Sequence, residues 1–195
     1  KNIKTAPYPR MARTAGRLDL TNYFDHNAAA NDETTQFLSD GLVNNPVLGL
    51  SSNGTGVSAV FDPKIGVNFK FGIQQSNPDA DNLSDSMYSL AEVGYVARLP
   101  GLGEGNYRVW YRVTNSTQPS SSAFGLSVDQ RVTPVLTVFG RYGNGTIPTG
   151  AETGTSFSEG HRFYSAGVSF RNGLVFNPLD TWGIGYAETH GVIGR

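Results

Sequence analysis

The chain has 195 residues and a net charge of −1 at pH 7, which gives no indication of nucleic-acid binding. It contains 24 glycines and no cysteine, so a disulfide scaffold and a thiolate metal site are excluded. No apolar run approaches the roughly 18 residues that a membrane-spanning helix needs, and only 16% of the residues are charged.

The first segment that stands out runs from residue 19 to 56 and lacks the polar–apolar alternation seen elsewhere. We predict a long loop here, because connections of this length without regular structure are uncommon and, when ordered, are usually functional. Asn31 is a candidate N-cap for a short helix with Asp32 and Glu33 in its first turn. The residues before Pro46 would end that helix, since the residue preceding a proline avoids helical backbone angles. A plain surface excursion would give the same pattern.

The rest of the chain alternates with period two, which predicts strands and no further helix of any length. Several of these segments have the 9–11 residues that a tilted membrane strand needs. We predict nine strands, at about residues 12–20, 57–61, 67–74, 87–99, 106–114, 123–132, 135–142, 162–170 and 182–189.

The connections between these strands alternate between short and long. In an up-and-down antiparallel sheet, this parity places every long loop at one end, as in outer-membrane barrels. A β-sandwich with Greek-key links has no reason to keep the parity. The last connection, residues 171–180, fits least well. The short links lie near residues 62–64, 100–105 and 133–134, and the long ones at 75–86, 115–122 and 143–160.

The predicted strands have two chemically different faces. In the fifth strand Val109 and Tyr111 share one face, while Arg108, Trp110 and Arg112 share the other. The apolar face would meet lipid in a barrel and would form the core of a sandwich. The polar face carries more basic than acidic residues, so a lumen lined by it would be positive and would concentrate anions. A solvated basic face on a soluble sheet would look the same.

The first predicted strand is assigned to the same two faces. Leu18 and Leu20 are placed on the apolar face, and Arg13 and Arg17 on the polar face. The residues that we predict to line the lumen are Arg13, Arg17, Asp19, Lys70, Glu92, Arg98, Arg108, Trp110, Arg112, Asp129, Arg131 and Arg141.

Several short motifs spread along the chain resemble the carbohydrate-selective porin (OprB) family of bacterial outer membranes, which includes related porins of cyanobacteria. The motifs are Gly16-Arg17-Leu18-Asp19-Leu20, Tyr23-Phe24-Asp25, Asn31-Asp32-Glu33-Thr34-Thr35-Gln36-Phe37-Leu38, Leu42-Val43-Asn44-Asn45-Pro46, Gly105-Asn106-Tyr107-Arg108, Val128-Asp129-Gln130-Arg131, Phe139-Gly140-Arg141-Tyr142-Gly143 and Gly183-Ile184-Gly185-Tyr186.

The resemblance implies an antiparallel up-and-down transmembrane β-barrel of sixteen strands in the bacterial outer membrane. Such a protein is usually a homotrimer that passes sugars, other small polar solutes or ions, and it is not an enzyme. It implies lipid and solutes as partners, with no nucleic acid, cofactor or metal. Because nine strands cannot close an even-numbered barrel, we expect residues 1–195 to be part of one longer barrel domain.

By the same analogy, residues 21–56 would fold inward and narrow the pore. The side chains that would then face the lumen arginines are Phe24, Asp25, Asn27, Asn31, Asp32 and Glu33. In a sugar pore, Trp110 between Arg108 and Arg112 could stack on a pyranose face, because aromatic rings present an apolar surface and arginine donates to hydroxyls.

Three other classes stay open on the sequence. A soluble or surface-attached carbohydrate-binding β-sandwich would use the same aromatic residues, and a structural envelope protein would need no pore. An enzyme could use Glu92 and Asp129 as acid and base. His26, His161 and His190 show no metal-ligand spacing and no catalytic triad.

Overall fold

A computed structural model describes residues 9–50, 53–76, 86–115, 120–149, 157–171, 177 and 180–192. Nine strands account for most of these residues, and a long segment of short helical turns connects the first two. The strands are β1 (Arg10–Leu18), β2 (Gly54–Asp62), β3 (Val67–Gln75), β4 (Met87–Arg98), β5 (Glu104–Asn115), β6 (Ser121–Arg131), β7 (Leu136–Thr149), β8 (Phe157–Phe170) and β9 (Trp182–Val192).

The nine strands form a single sheet in which each strand pairs antiparallel with its neighbours in the chain, in the order β1 to β9. This confirms the predicted all-β, up-and-down arrangement. Within the described residues, β1 pairs only with β2 and β9 only with β8, so the sheet is open at both sides. No helix in the described ranges is both long enough and apolar enough to cross a membrane.

The alternation of link lengths is weaker than predicted. β7 continues to Thr149 and pairs with β8 from Phe157 onward, so much of the expected loop at 143–160 is strand. The backbone ladder needs no apolar alternation, which is why this polar stretch reads as a loop in the sequence. The acidic loop residues expected at 77–85 and 150–156 lie outside the described residues.

The short helix predicted at Asn31 is reduced to a single turn, in which the Gln36 amide donates to the Asp32 carbonyl oxygen at 3.0 Å. Asp32, and not Asn31, caps this turn, because its carboxylate accepts hydrogen bonds from the backbone amides of Thr34 and Thr35, at 2.7 and 3.1 Å. The one α-helix between β1 and β2 within the described residues is the four-residue α1 (Asp40–Val43), and two 3-10 turns occupy Leu20–Tyr23 and Pro46–Leu48.

The register assigns each strand residue to one of two faces. A row of directly paired residues runs across the middle of one face and stays well exposed, with Val109 at 53%. We call this the outer face. The row consists of Phe61, Phe69, Val93, Val109 and Leu126. The opposite, inner face is covered by residues 19–50, and the main apolar cluster lies between them.

The predicted faces of the first strand are inverted. Arg13 pairs with Ala59, which pairs with Phe71, so Arg13 lies on the outer face, and Arg17, four residues on, lies there too. Leu18 instead faces inward and is buried. The prediction carried the strand through to Leu20, but the strand ends before it and the apolar cluster takes Leu18 inside.

Asp19 is also misplaced by the sequence. It lies beyond the end of β1, where its carboxylate accepts a hydrogen bond from the Thr21 amide at 2.9 Å. Asp19 therefore caps the first 3-10 turn and is not a strand residue of the sheet wall.

Candidate functional site

Residues 19–50, which we call the docked segment, lie against the inner face of the sheet. Glycines on that face make the close approach possible. A side chain at Gly72 would come within 2.7 Å of Leu20, and one at Gly143 within 2.6 Å of the Asn45 side-chain oxygen. We call the sheet beneath the segment the wall. The segment fits closely against the wall because glycine occupies these wall positions and leaves room for the side chains of the segment.

Asp25 is the centre of the polar contacts between segment and wall. Its side chain is 3% exposed and accepts hydrogen bonds from Trp110 Nε1 and from Arg141 Nε, each at 2.8 Å. Its backbone amide donates to Glu92 Oε2 at 2.6 Å. The backbone is held at a φ of 54°, in the left-handed region that non-glycine residues seldom adopt. Burial raises the pKa of Asp25 to about 6, and the charge of Arg141 offsets this only in part.

Two buried arginines of the wall hold the backbone of the segment. Arg141 donates to the carbonyl oxygens of Leu42 and Asp25, at 2.8 and 3.1 Å. Arg112 is fully buried and donates to the carbonyl oxygen of Val47 at 3.0 Å and to Ser121 Oγ at 2.8 Å. Both guanidinium groups therefore serve as structural clamps on the segment.

A second charged network lies beside Asp25. Lys70 Nζ is 2.8 Å from Glu92 Oε1, and Arg108 lies 3.9 Å from the same carboxylate and 3.3 Å from Asp129. Asp129 also accepts from the amide of Ala28 at 3.1 Å. In this network the lysine and arginine side chains of the wall pair with carboxylates of the wall. Backbone amides of the segment donate hydrogen bonds to the same carboxylates.

The residues predicted to line a lumen therefore divide into groups. The docked segment covers Lys70, Glu92, Arg108, Trp110, Arg112, Asp129 and Arg141, which share the inner face. Arg98 and Arg131 lie on the same face near the short links and are exposed, and Arg98 pairs with Glu104 at 3.3 Å. Arg13, Arg17 and Asp19 lie elsewhere, as described above.

The residues predicted for the segment also divide. Phe24, Asp25 and Asn27 are buried against the wall, and Asn27 Nδ2 donates to the Val128 carbonyl at 3.0 Å. Asn31, Asp32 and Glu33 are exposed, although the Asn31 side-chain oxygen still accepts from Arg141 at 3.5 Å. The Thr34 and Thr35 donors lower the pKa of Asp32 to about 2.

Sequence reasoning missed several residues that hold the segment. Tyr88 is fully buried, and its hydroxyl donates to the Leu48 carbonyl at 2.8 Å. The Leu20 amide donates to Gln74 Oε1 at 2.9 Å. The available signal was glycine at wall positions such as Gly72 and Gly143, which leaves room for a covering chain.

The contacts change the expected electrostatics of this face. The wall cations beneath the segment are paired or buried, so they do not present a free positive surface. The segment has no lysine or arginine between residues 19 and 50. Its exposed side carries Asp32, Glu33 and Asp40. The open side of the docked segment is therefore acidic, opposite in sign to the predicted lumen.

Two predicted chemical roles do not fit this geometry. Trp110 is 1% exposed beneath Asp25, so its ring cannot stack on a sugar while the segment is docked. Glu92 and Asp129 are both buried and engaged by cations and backbone amides, which leaves neither free to act on a bound glycoside.

A single up-and-down sheet, apolar on its exposed face and charged on its covered face, is consistent with a fragment of a β-barrel wall. Comparison with known proteins points to the kind of barrel. The chain is 29% identical over 194 residues to Porin AaxA of Chlamydia trachomatis serovar D, covering 93% of this chain and 39% of the relative. It is 31% identical over 166 residues to Porin AaxA of Chlamydia abortus, covering 78% and 34%.

A further relative is an uncharacterized protein of Aquifex aeolicus, 34% identical over 115 residues, which covers 59% of this chain and 33% of the relative. The chain thus spans little more than a third of the length of the curated relatives it matches. No family model and no solved structure matches it. The named relatives support a porin family.

Proposed function

We propose that this chain forms part of the wall of an outer-membrane porin and that the docked segment narrows its passage. The carrying observation is that the two ends of this segment, residues 24–30 and 42–48, are largely buried against the charged inner face, through Asp25, Arg112 and Arg141. A segment held there occupies space inside a barrel that closes around this face. Passage of small polar solutes through the remaining opening needs weak contacts and no tight binding site.

The outer face supports a membrane setting. A row of large apolar residues is exposed there, and lipid would cover it in a transmembrane barrel. A soluble β-sandwich would need a second sheet over this same face to remove it from water. Extraction separates the two: a porin leaves the membrane fraction only in detergent, whereas a soluble or salt-released protein supports the sandwich.

Sugars as solutes, a barrel of sixteen strands and a homotrimer complete the proposal and rest on the resemblance to the carbohydrate-selective porins. Within the site, hydroxyl-bearing solutes would meet the exposed amides and carboxylates of the segment, such as Asn31 and Asp32. The proposed contact with sugars does not include stacking of a sugar ring on Trp110, because that side chain is buried.

The test uses the full-length protein in planar bilayers. Removing residues 24–43 is expected to raise single-channel conductance and to weaken block by sugars together, because the segment no longer narrows the passage. Arg131→Gln, on the same face but outside the segment contacts, serves as the control and should leave conductance near the parent value. Unchanged conductance in the deletion, with the barrel still folded, would place the segment outside the passage.

A further inference from the structure

The outer face of the described sheet carries a local departure from its apolar character. By register, the outward charged side chains of β1 to β7 within the described ranges are Arg13 and Arg17, both on β1 and both exposed. β8 and β9 also carry Arg162, Glu188 and His190 outward, where Glu188 and His190 lie 2.8 Å apart. A cation on the lipid face is unfavourable, most strongly near the bilayer midplane, so such residues call for a counter-charge.

A groove lies directly beside Arg13. It has a volume of about 300 Å³ and is lined by Arg13, Thr14, Ala15, Val57, Ser58, Ala59 and Phe71. It exists because the side chains of Ala15 and Ala59 are short, whereas Val57 and Phe71 rise beside them. Thr14 and Ser58 belong to the inner face by register, so the outward side chains beside Arg13 are apolar, which suits a hydrocarbon chain.

Arg17 lies on the same strand and face as Arg13, beyond the residues that line the groove. Ala15 lies between Arg13 and Arg17 in the outward row, and four residues of strand separate their Cα atoms by about 13 Å. Long arginine side chains on either side of a small residue can converge above it. The Arg13 guanidinium contacts Met11 Sδ at 3.3 Å, a weak neutral acceptor that does not compensate its charge.

We propose that this patch binds an anionic phospholipid, with the lipid phosphate held by Arg13 and Arg17 and an acyl chain in the adjoining groove. Arginine matches phosphate oxygens through paired donors, which supplies the missing counter-charge. The groove supplies apolar contact for the chain. The inference rests on the proposed function, because it requires the outer face to lie in lipid.

The experiment uses the full-length protein, purified and exchanged into mixed micelles with equal amounts of phosphatidylglycerol and phosphatidylcholine. Native mass spectrometry then counts the lipids retained. We expect several-fold retention of phosphatidylglycerol over phosphatidylcholine. That preference should fall as salt rises from about 0.05 M to about 0.5 M, since the contact is ionic and salt screens it. Equal retention of the two lipids by the parent protein would overturn the proposal.

Variants separate the two parts of the site. Arg13→Gln and Arg17→Gln should each reduce the preference and together abolish it, while Arg131→Gln on the inner face should not change it. Ala59→Leu should fill the groove and lower lipid retention with both arginines intact. Full preference in the double variant contradicts the assignment; if that variant fails to fold, the single variants and the salt series decide.

Channel recordings on the same preparations keep the two proposals distinguishable. Channels without a phosphatidylglycerol preference would refute the lipid site and leave the porin standing. Lipid preference without channels would refute the porin. Cross-linking of two copies of the Ala15→Cys variant, with no lipid preference, would assign the patch to contact between protomers and overturn the lipid proposal.

Discussion

Asp25 carries three kinds of constraint at once: burial, a left-handed backbone and an ion pair with Arg141. A strained φ at a non-glycine residue costs of order 1–3 kcal/mol, so it persists only while the surrounding contacts hold it. The residue therefore belongs to the docked state and not to a free loop. This makes Asp25 the position at which docking can be tested by a single change.

The raised pKa of Asp25 predicts a pH dependence of docking. Since burial raises this pKa to about 6, the stabilisation by protonation is fully present below the ordinary value of 3.8 and is lost as pH rises through about 6. Taken alone, Asp25 makes the docked state more stable at pH 4.5 than at pH 7.5, by an amount on the order of 2 kcal/mol. Burial lowers the pKa of the neighbouring His26, which acts in the opposite direction over the same range. Thermal unfolding of the folded barrel at the two pH values measures this.

Asp25→Asn isolates the effect, because the amide keeps an acceptor oxygen for Trp110 or Arg141 but does not titrate. It should flatten the pH dependence, whereas Asp32→Asn should keep the parent profile, since the pKa of Asp32 lies near 2 and outside the window. An Asp25→Asn variant that keeps the parent's pH dependence would show that another group is responsible.

Arg112 gives a second prediction at this scale. Replacing it with methionine keeps much of the volume but leaves the Val47 carbonyl and Ser121 without their buried donor. Each lost partner costs about 1–3 kcal/mol, so the segment should detach and become cleavable by protease in detergent. Arg131→Met, at an exposed arginine of the same face, is the matched control. Equal protease resistance in both variants would show that Arg112 is not needed to hold the segment against the wall.

Among the strands, the period-two pattern was enough to find all nine and to assign the faces of β3 to β7. It failed at β1, where Leu18 and Leu20 alternate correctly but belong to a strand end and a 3-10 turn. It also did not reveal that the helix expected at Asn31 is a single turn, because an Asp side chain closing a turn leaves no periodic signal. Short polar turns are determined by individual hydrogen bonds, which spacing alone does not reveal.

The candidate site was predictable in part for the same reason. That the segment meets the charged face followed from its length and the resemblance, and the contacts of Asp25 and Asn27 agree. The sequence could not predict which wall cations the segment would pair with, since the Asp25–Arg141 pair joins residues 116 positions apart. Pairing over such a separation depends on register across several strands, and no local pattern reports it.

The fit of the segment to its wall predicts the effect of filling a glycine position. A Cβ at Gly143 would lie 2.6 Å from the Asn45 side-chain oxygen and 3.0 Å from Val47, so Gly143→Val should push the segment off the wall. We expect raised conductance and protease sensitivity in a barrel that still folds. Gly140→Val is the control, because its nearest contact would be 3.5 Å away. Equal effects of both changes would mean that the strand, and not the fit, is disturbed.

The face assignment is tested by a charge on β5. Val109 is 53% exposed on the outer face, so Val109→Arg should destabilise the barrel in lipid by about 2–4 kcal/mol near the midplane. Urea titration in vesicles measures the loss. Unchanged stability in Val109→Arg, together with loss of folding in Arg108→Leu, would invert the two faces.

At the scale of the whole molecule, the main revision concerns the charge of the surface that would line the proposed pore, which is acidic and not basic. The wall cations under the segment are paired or covered, and the exposed side of the segment is acidic. We expect a channel that prefers cations over anions, more strongly at low salt because screening is weaker there. Reversal potentials in a salt gradient give the preference. Asp32→Asn with Glu33→Gln should reduce it, and an anion preference in the parent protein would restore the basic lumen predicted from the sequence.

The long-range bond between Asp25 and Arg141 also fixes an order of events. Asp25 precedes its partners on β4, β5 and β7 in the chain, and these strands must be in register before it can be buried. Closing so large a chain loop is slow compared with pairing of neighbouring strands. The sheet should therefore assemble first, with an unobstructed interior, and the segment should settle into place last. In a refolding experiment, quenching of Trp110 fluorescence by the arriving Asp25 region would then lag behind the growth of β-structure.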